Sequence, residues 1–168
     1  MTVTALLTAR AIGTVASLSA LANGTGPDFD IPASTSFVPG TGQGQADVCF
    51  MDTRTLAASA TENLDLAGAL TDAIGRVLNL AKVKAIMIRT AAANTNDVII
   101  GGAATNGFVG PFGAATHTLA IRPGGEFLLA APGPGWPVTA GTGDLLKILN
   151  GGAGTPVTYD IIIIGTTV

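Results

Sequence analysis

Few side chains in this 168-residue chain have the chemistry to act on a substrate. His117 is the single histidine and Cys49 the single cysteine. Together they could make a nucleophile–base dyad, but nothing local to either residue supports one. His117 opens a run with hairpin character. Cys49 sits in an alternating strand pattern, where a thiol packs as a small apolar side chain. One cysteine excludes an intramolecular disulfide and a multi-cysteine metal site, so a metal would need carboxylates alone. Two carboxylate pairs, Glu62 with Asp65 and Asp28 with Asp30, are the candidates for glycoside hydrolysis, a chemistry with no sequence signature of its own. The Gly-rich pieces "GGAATNG" and "GTGDLLK" lack the Gly-Lys-Ser/Thr ending of a phosphate loop and fit tight turns. The expectation is a protein that is not an enzyme and has no cofactor and no metal.

The elements that must position these residues read as β-structure from Ala46 onward. "DVCFMDTRTL" (47–56) alternates, and its polarity changes midway, as in a strand passing from core to rim. "ENLDLAG" (62–68), "LNLAKVKAIMIRTA" (78–91) and "NDVIIGG" (96–102) add further strands. "HTLAIRPGGEFLLAAP" (117–132) reads as a hairpin about Arg122–Gly125. "GDLLKILNGG" and "VTYDIIIIG" supply the last two. The one rival helix is "LDLAGALTDAIGRVL" (64–78), whose Leu66, Leu70, Ala73, Ile74 and Val77 fit a 3.6 period. Gly68 and Gly75 each weaken it by roughly 1 kcal/mol relative to Ala. Short strands with Gly/Pro turns predict an all-β fold, an antiparallel β-sandwich or barrel, with a jelly roll as one admissible topology and at most one short helix.

Residues 1–45 differ in kind. Residues 1–24 end in the small-residue pattern Ala20-Leu21-Ala22 but carry no Lys or Arg before Arg10, which interrupts the apolar stretch, so they do not read as a signal peptide. No uncharged apolar stretch approaches ~18 residues, which argues against a transmembrane helix. From Asn23 to Gln45, Gly, Pro, Ser and Thr dominate, a composition that resists helix and regular strand. A flexible linker has no use for the apolar anchors Phe29, Ile31, Phe37 and Val38. An extended arm lying over another surface does. Residues 1–45 therefore read as an N-terminal extended arm and 46–168 as the β-sandwich domain.

Charged residues make up 11% of the chain, against about 25% in typical soluble domains. Such a surface is either solvated by Thr, Asn and Ser or partly buried against other chains; the second reading is preferred. A net charge of −3 argues against neutralising nucleic-acid phosphates. The candidate interface comprises Arg10, Ile12, Phe29, Ile31, Phe37, Val38, Trp136, Ile162 and Ile164. Trp136, in "PGPGWPV", is either a displayed anchor for a partner or glycan or a plug on its own domain. In "YDIIIIG", Ile161 and Ile163 face one way and Ile162 and Ile164 the other. One pair should enter the core, and the other should be covered by a neighbouring subunit, the arm or segment 64–78.

The stretches "TRTLAASATENLDLAGALTDAIG", "VKAIMI", "NTNDVIIGGAATNGFVGPF", "RPGGEFLLAAPGPGW", "VTAGTGDLLKI" and "VTYDIIIIG" together resemble a group of tailed-bacteriophage virion structural proteins. The resemblance runs from about Ala46 to Val168. It implies a capsid decoration or cement protein on the capsid exterior, assembled in the host cytoplasm. It further implies the major capsid protein as partner and a homo-oligomer, a trimer first, without nucleic acid or membrane. The alternative is a tail or fibre recognition module that binds a host-surface glycan or another virion protein. The resemblance identifies no catalytic residues.

Overall fold

The structure, a computed structural model, describes the backbone of residues 3–16 and 25–168 and the side chains of 3–13 and 30–168. The Ala20-Leu21-Ala22 pattern and the side chains of Asp28 and Phe29 lie outside the described residues. Among those described there is no helix.

Fourteen strands form among the described residues. The first three, β1 (Ala5–Ala16), β2 (Thr25–Pro39) and β3 (Gln45–Ala46), precede the body. The body contains β4 (Val48–Leu56), β5 (Thr61–Asp65), β6 (Ala67–Thr71), β7 (Val77–Asn79), β8 (Lys82–Thr90) and β9 (Val98–Gly101). It continues through β10 (Thr118–Ile121), β11 (Glu126–Ala130), β12 (Trp136–Pro137), β13 (Leu145–Asn150) and β14 (Val157–Thr166). One sheet has the order β10-β9-β13-β5. The other runs β11-β8-β14-β4, with β12 also on β8.

If β4, β5, β8, β9, β10, β11, β13 and β14 are counted in order, first pairs with last, second with seventh, third with sixth and fourth with fifth. That wrapping is the jelly roll, a two-sheet form of the antiparallel sandwich. The strands facing both sheets are rich in Ile, Val and Leu, which suit a pleated, half-buried surface. Ile86, Ile88, Ile161 and Ile163 from one sheet meet Val98, Ile100, Leu146 and Ile148 from the other in the principal core.

Two sequence expectations require correction, and the allowance of at most one short helix resolves to none among the described residues. Segment 64–78 is not helical. It forms the end of β5, then β6 and β7, with Leu66, Leu70 and Leu78 buried in the core. Gly68 (φ +144°) and Gly75 (φ +81°) hold backbone conformations that a right-handed helix does not contain. The two runs of 117–132 are strands, but not a hairpin. β10 pairs β9 and β11 pairs β8, so the turn carries the chain from one sheet to the other. Residues 25–39, whose composition resists regular strand, are one, because β1 supplies a partner along nearly their whole length.

β1 and β2 build a long antiparallel ribbon. Phe37, near its base, is fully buried with Val3, Ala46, Ala85 and Ile164 in a second, smaller core, on which Ala5 and Leu7 also pack. The loop after β2 is held by Gly44 N donating to Pro132 O at 2.8 Å, and by Lys84 Nζ donating to the carbonyls of Gly133 and Gly42. Beyond that base, every residue from Thr8 to Ile12 and from Asp30 to Ser34 is exposed, so both ribbon faces meet solvent there.

A candidate docking surface on the outer sheet face

The outer face of the β11-β8-β14-β4 sheet is organised in rows set by strand register. Thr53, Asp160, Arg89 and Glu126 form the first. Asp160 ties this row together, accepting from the Thr53 hydroxyl at 2.7 Å and from Arg89 Nη2 at 2.7 Å. The Thr53 hydroxyl and the Arg89 guanidinium hold the Asp160 carboxyl below the ordinary carboxylate range, and Asp160 raises Arg89 in turn. The charges of Asp160 and Arg89 are matched within the row.

The next row is apolar throughout. Ile162 pairs Met51 on one side and Met87 on the other, and Met87 pairs Leu128. Met51 is 54% exposed and Leu128 37%. The row and its polar neighbour line a shallow groove of about 460 Å³. Nothing in the described structure covers Met51.

The third row, Cys49, Ile164, Ala85 and Ala130, is equally apolar but covered. Phe37, Val3, Ala5 and Leu7 from the ribbon base lie on it. Burial pushes the Cys49 thiol pKa up, which disfavours the thiolate a nucleophile needs.

β14 thus resolves the four isoleucines. Ile161 and Ile163 enter the principal core, Ile164 is buried under the arm, and Ile162 is left half-covered at the end of that cover.

The remaining candidates fall elsewhere. Arg10 and Asp30 face each other across the ribbon as an exposed ion pair that raises the arginine and lowers the carboxyl. Ile12 and Ile31 are exposed on opposite ribbon faces, since Ile12 pairs Asp30 and Ile31 pairs Ala11. Val38 is exposed beside buried Phe37. Trp136 is half-buried against the principal core, with the loop at Gly110 laid on it so closely that a Cβ there would lie 2.7 Å from Trp136 Cβ. It plugs its own domain.

Among the described residues, those weighed for chemistry are not brought together. Cys49 is on β4, at one edge of its sheet, and His117 precedes β10, at the opposite seam of the sandwich. His117 Nδ1 faces Phe112 O at 2.7 Å; a carbonyl only accepts, so Nδ1 carries the proton. Glu62 is engaged by Tyr159 and by Arg54 Nη1 at 2.7 Å, while Asp65 accepts from Ala67 N. Among the described residues, no three His, Cys, Asp or Glu side chains gather as metal ligands.

Met51, Met87 and Leu128 escaped the sequence reading. Strand alternation gives the parity of Met51, but the row exists only through the pairing of strands distant in sequence. No family model matches the chain, and no curated protein and no solved structure matches it.

Proposed function

We propose that this protein is a structural component of a tailed-bacteriophage virion, a homo-oligomeric capsid decoration protein that covers and stabilises the outside of the head shell. The observation that carries the reading is the solvated β1–β2 ribbon standing on a body whose outer sheet face keeps a partly open apolar row. A two-stranded ribbon with both faces in water is marginal by itself. A protein that works by covering other chains has a use for it. The sequence resemblance supports the same reading, as does the jelly roll, an architecture found in viral capsid domains and also in lectins. Fold analogy alone does not assign function.

In physical terms, each bound copy stabilises the shell by mass action, and the effect multiplies over many sites. The partner is the major capsid protein, and the body stays on the capsid exterior. The test is addition of purified protein to heads that lack it. Bound protein should raise the temperature at which the heads release their contents, and deletion of residues 1–43 should abolish binding. Heads that bind neither form would sink the decoration reading.

A second reading, glycan recognition by a tail or fibre module, draws on one observation. A cleft of about 610 Å³ at the β10–β11 seam is lined by Phe112, His117, Thr118 and Phe127, a mix of aromatic faces and polar groups within the usual size of ligand sites. Host-cell binding by the isolated protein that is lost in His117→Ala would favour it over decoration.

A further inference from the structure

The geometry points to a second copy of this chain as the occupant of the Met51–Ile162–Met87–Leu128 row, seated there by the far half of its β1–β2 ribbon. The inference rests on the homo-oligomer reading above and names the surfaces that would build it.

The ribbon has one uncharged face. Strand register places Ala5, Leu7, Ala9 and Ala11 of β1 on the same side as Phe37, Thr35, Ala33 and Ile31 of β2. The near half of this face already packs on the same sheet, where Phe37, Ala5 and Leu7 cover the Ile164 row. Its far half, Ala9, Ala11, Ala33 and Ile31, continues the same small and apolar composition with nothing beneath it; Ile31 is 65% exposed.

The fold therefore contains a worked instance of the contact. A ribbon face of Ala, Leu and Phe lies on a sheet row of Cys, Ile and Ala, and directly beside that row lies one of Met, Ile and Leu, half-buried at Ile162 and Met87 and exposed at Met51 and Leu128. The chain's own far half does not cover it, since residues 8–12 and 30–34 are exposed on both faces.

Charge placement agrees. Arg10 and Asp30 lie on the opposite ribbon face and pair with each other. The far half can thus be buried without stranding a charge. On the receiving side, the Thr53–Asp160–Arg89 network borders the row with its own charges already matched.

Each copy carries one ribbon to give and one row to receive. The contact is then head-to-tail, and it closes into a ring when the rotation permits.

The test is solution mass by light scattering on the intact chain and on two variants, Ile31→Glu and Met51→Glu. The wild type should be a multiple of the 16.6 kDa chain, and each variant should fall to a single chain. Mixed in equal amounts, the variants should recover one contact and the mass of a dimer. Met51→Glu keeps an intact ribbon, and Ile31→Glu keeps an intact row. Both sites are more than half exposed, so folding should survive; Ile31→Ser and Met51→Ser replace any variant whose thermal transition is lost. A monomeric wild type overturns the inference, as does a folded variant with wild-type mass or a mixture that stays monomeric. No shell is present in the measurement, so an oligomer that forms as described but fails to bind heads refutes the decoration reading alone.

Discussion

The Tyr159 hydroxyl on β14 donates to Glu62 Oε1 on β5, joining the two sheets of the sandwich, while the other oxygen of Glu62 holds Arg54 on β4. Burial first, then the hydrogen bond and the charge of Glu62, raise the phenol pKa far above its ordinary value. The neutral phenol is the form the fold accepts. Its contribution is complete below the unfolded-state pKa of about 10 and is lost as pH rises beyond it toward the folded-state value.

Tyr159→Phe should cost about 1.5–3 kcal/mol at neutral pH, the range for a hydrogen bond to a charged group, read by urea unfolding. It should also flatten the alkaline fall in stability above pH about 10. Tyr159 is the single tyrosine, so phenolate absorbance reports it alone. Ionisation at the ordinary phenol value of about 10 in the folded protein would refute the buried bond.

Ile163 and Ile162 should respond oppositely to lysine. Ile163→Lys places a charge in the principal core and should cost on the order of 4–5 kcal/mol or more, enough to unfold a domain of ordinary stability. Ile162→Lys should leave a folded protein with a near-normal melting temperature and impaired assembly. If it left assembly intact, the outer row would not be an interface.

Phe37→Ala should cost about 3–5 kcal/mol of packing at the ribbon base, as for other large-to-small aromatic changes in cores. Because the principal core holds no ribbon residue among those described, the loss should be local. Limited proteolysis should cut near residue 40 faster than in the wild type and leave the body resistant. Simultaneous digestion of both parts would show that the sandwich depends on the ribbon.

Asp72 closes the β6–β7 turn, accepting from the backbone N–H groups of Arg76 and Ile74 and from the Arg76 guanidinium at 2.7 Å. These bonds, the Arg76 backbone first, lower its pKa against the opposing effect of burial. A depressed carboxyl stabilises the fold above the unfolded-state value of about 3.9, and the contribution is lost as pH falls through the folded-state value. Asp72→Asn should therefore melt below the wild type at neutral pH, with the gap closing in acid. A gap that persisted at low pH would mean the turn is held by shape and not by the charge.

The sequence was most legible where a single strand carries its own message. The alternation in "YDIIIIG" separated Ile161 and Ile163 from Ile162 and Ile164, and the cover on Ile164 proved to be the arm. Features made by pairing at a distance were not legible. β2 looks unfit for a strand until β1 is laid beside it. The runs of 117–132 look like a hairpin because both flank a turn, yet each finds its partner in a different sheet. In 64–78 the helical period arose from leucines that a ribbon also buries, and the two glycines carried the better signal. The Met51–Ile162–Met87–Leu128 row joins four strands spread over more than half the chain, and no local pattern contains it.

The position of β14 between β4 and β8 has a consequence for how the protein is made. These two strands do not touch through each other's backbone; each waits for residues 157–166. During synthesis the chain must keep the apolar edges of Val48–Leu56 and Lys82–Thr90 unpaired until the isoleucine strand leaves the ribosome. Folding of the sheet is then a late, non-local closure, the kind that is slow and exposes sticky edges meanwhile. The strand that looks most prone to aggregate is the one whose arrival ends that risk.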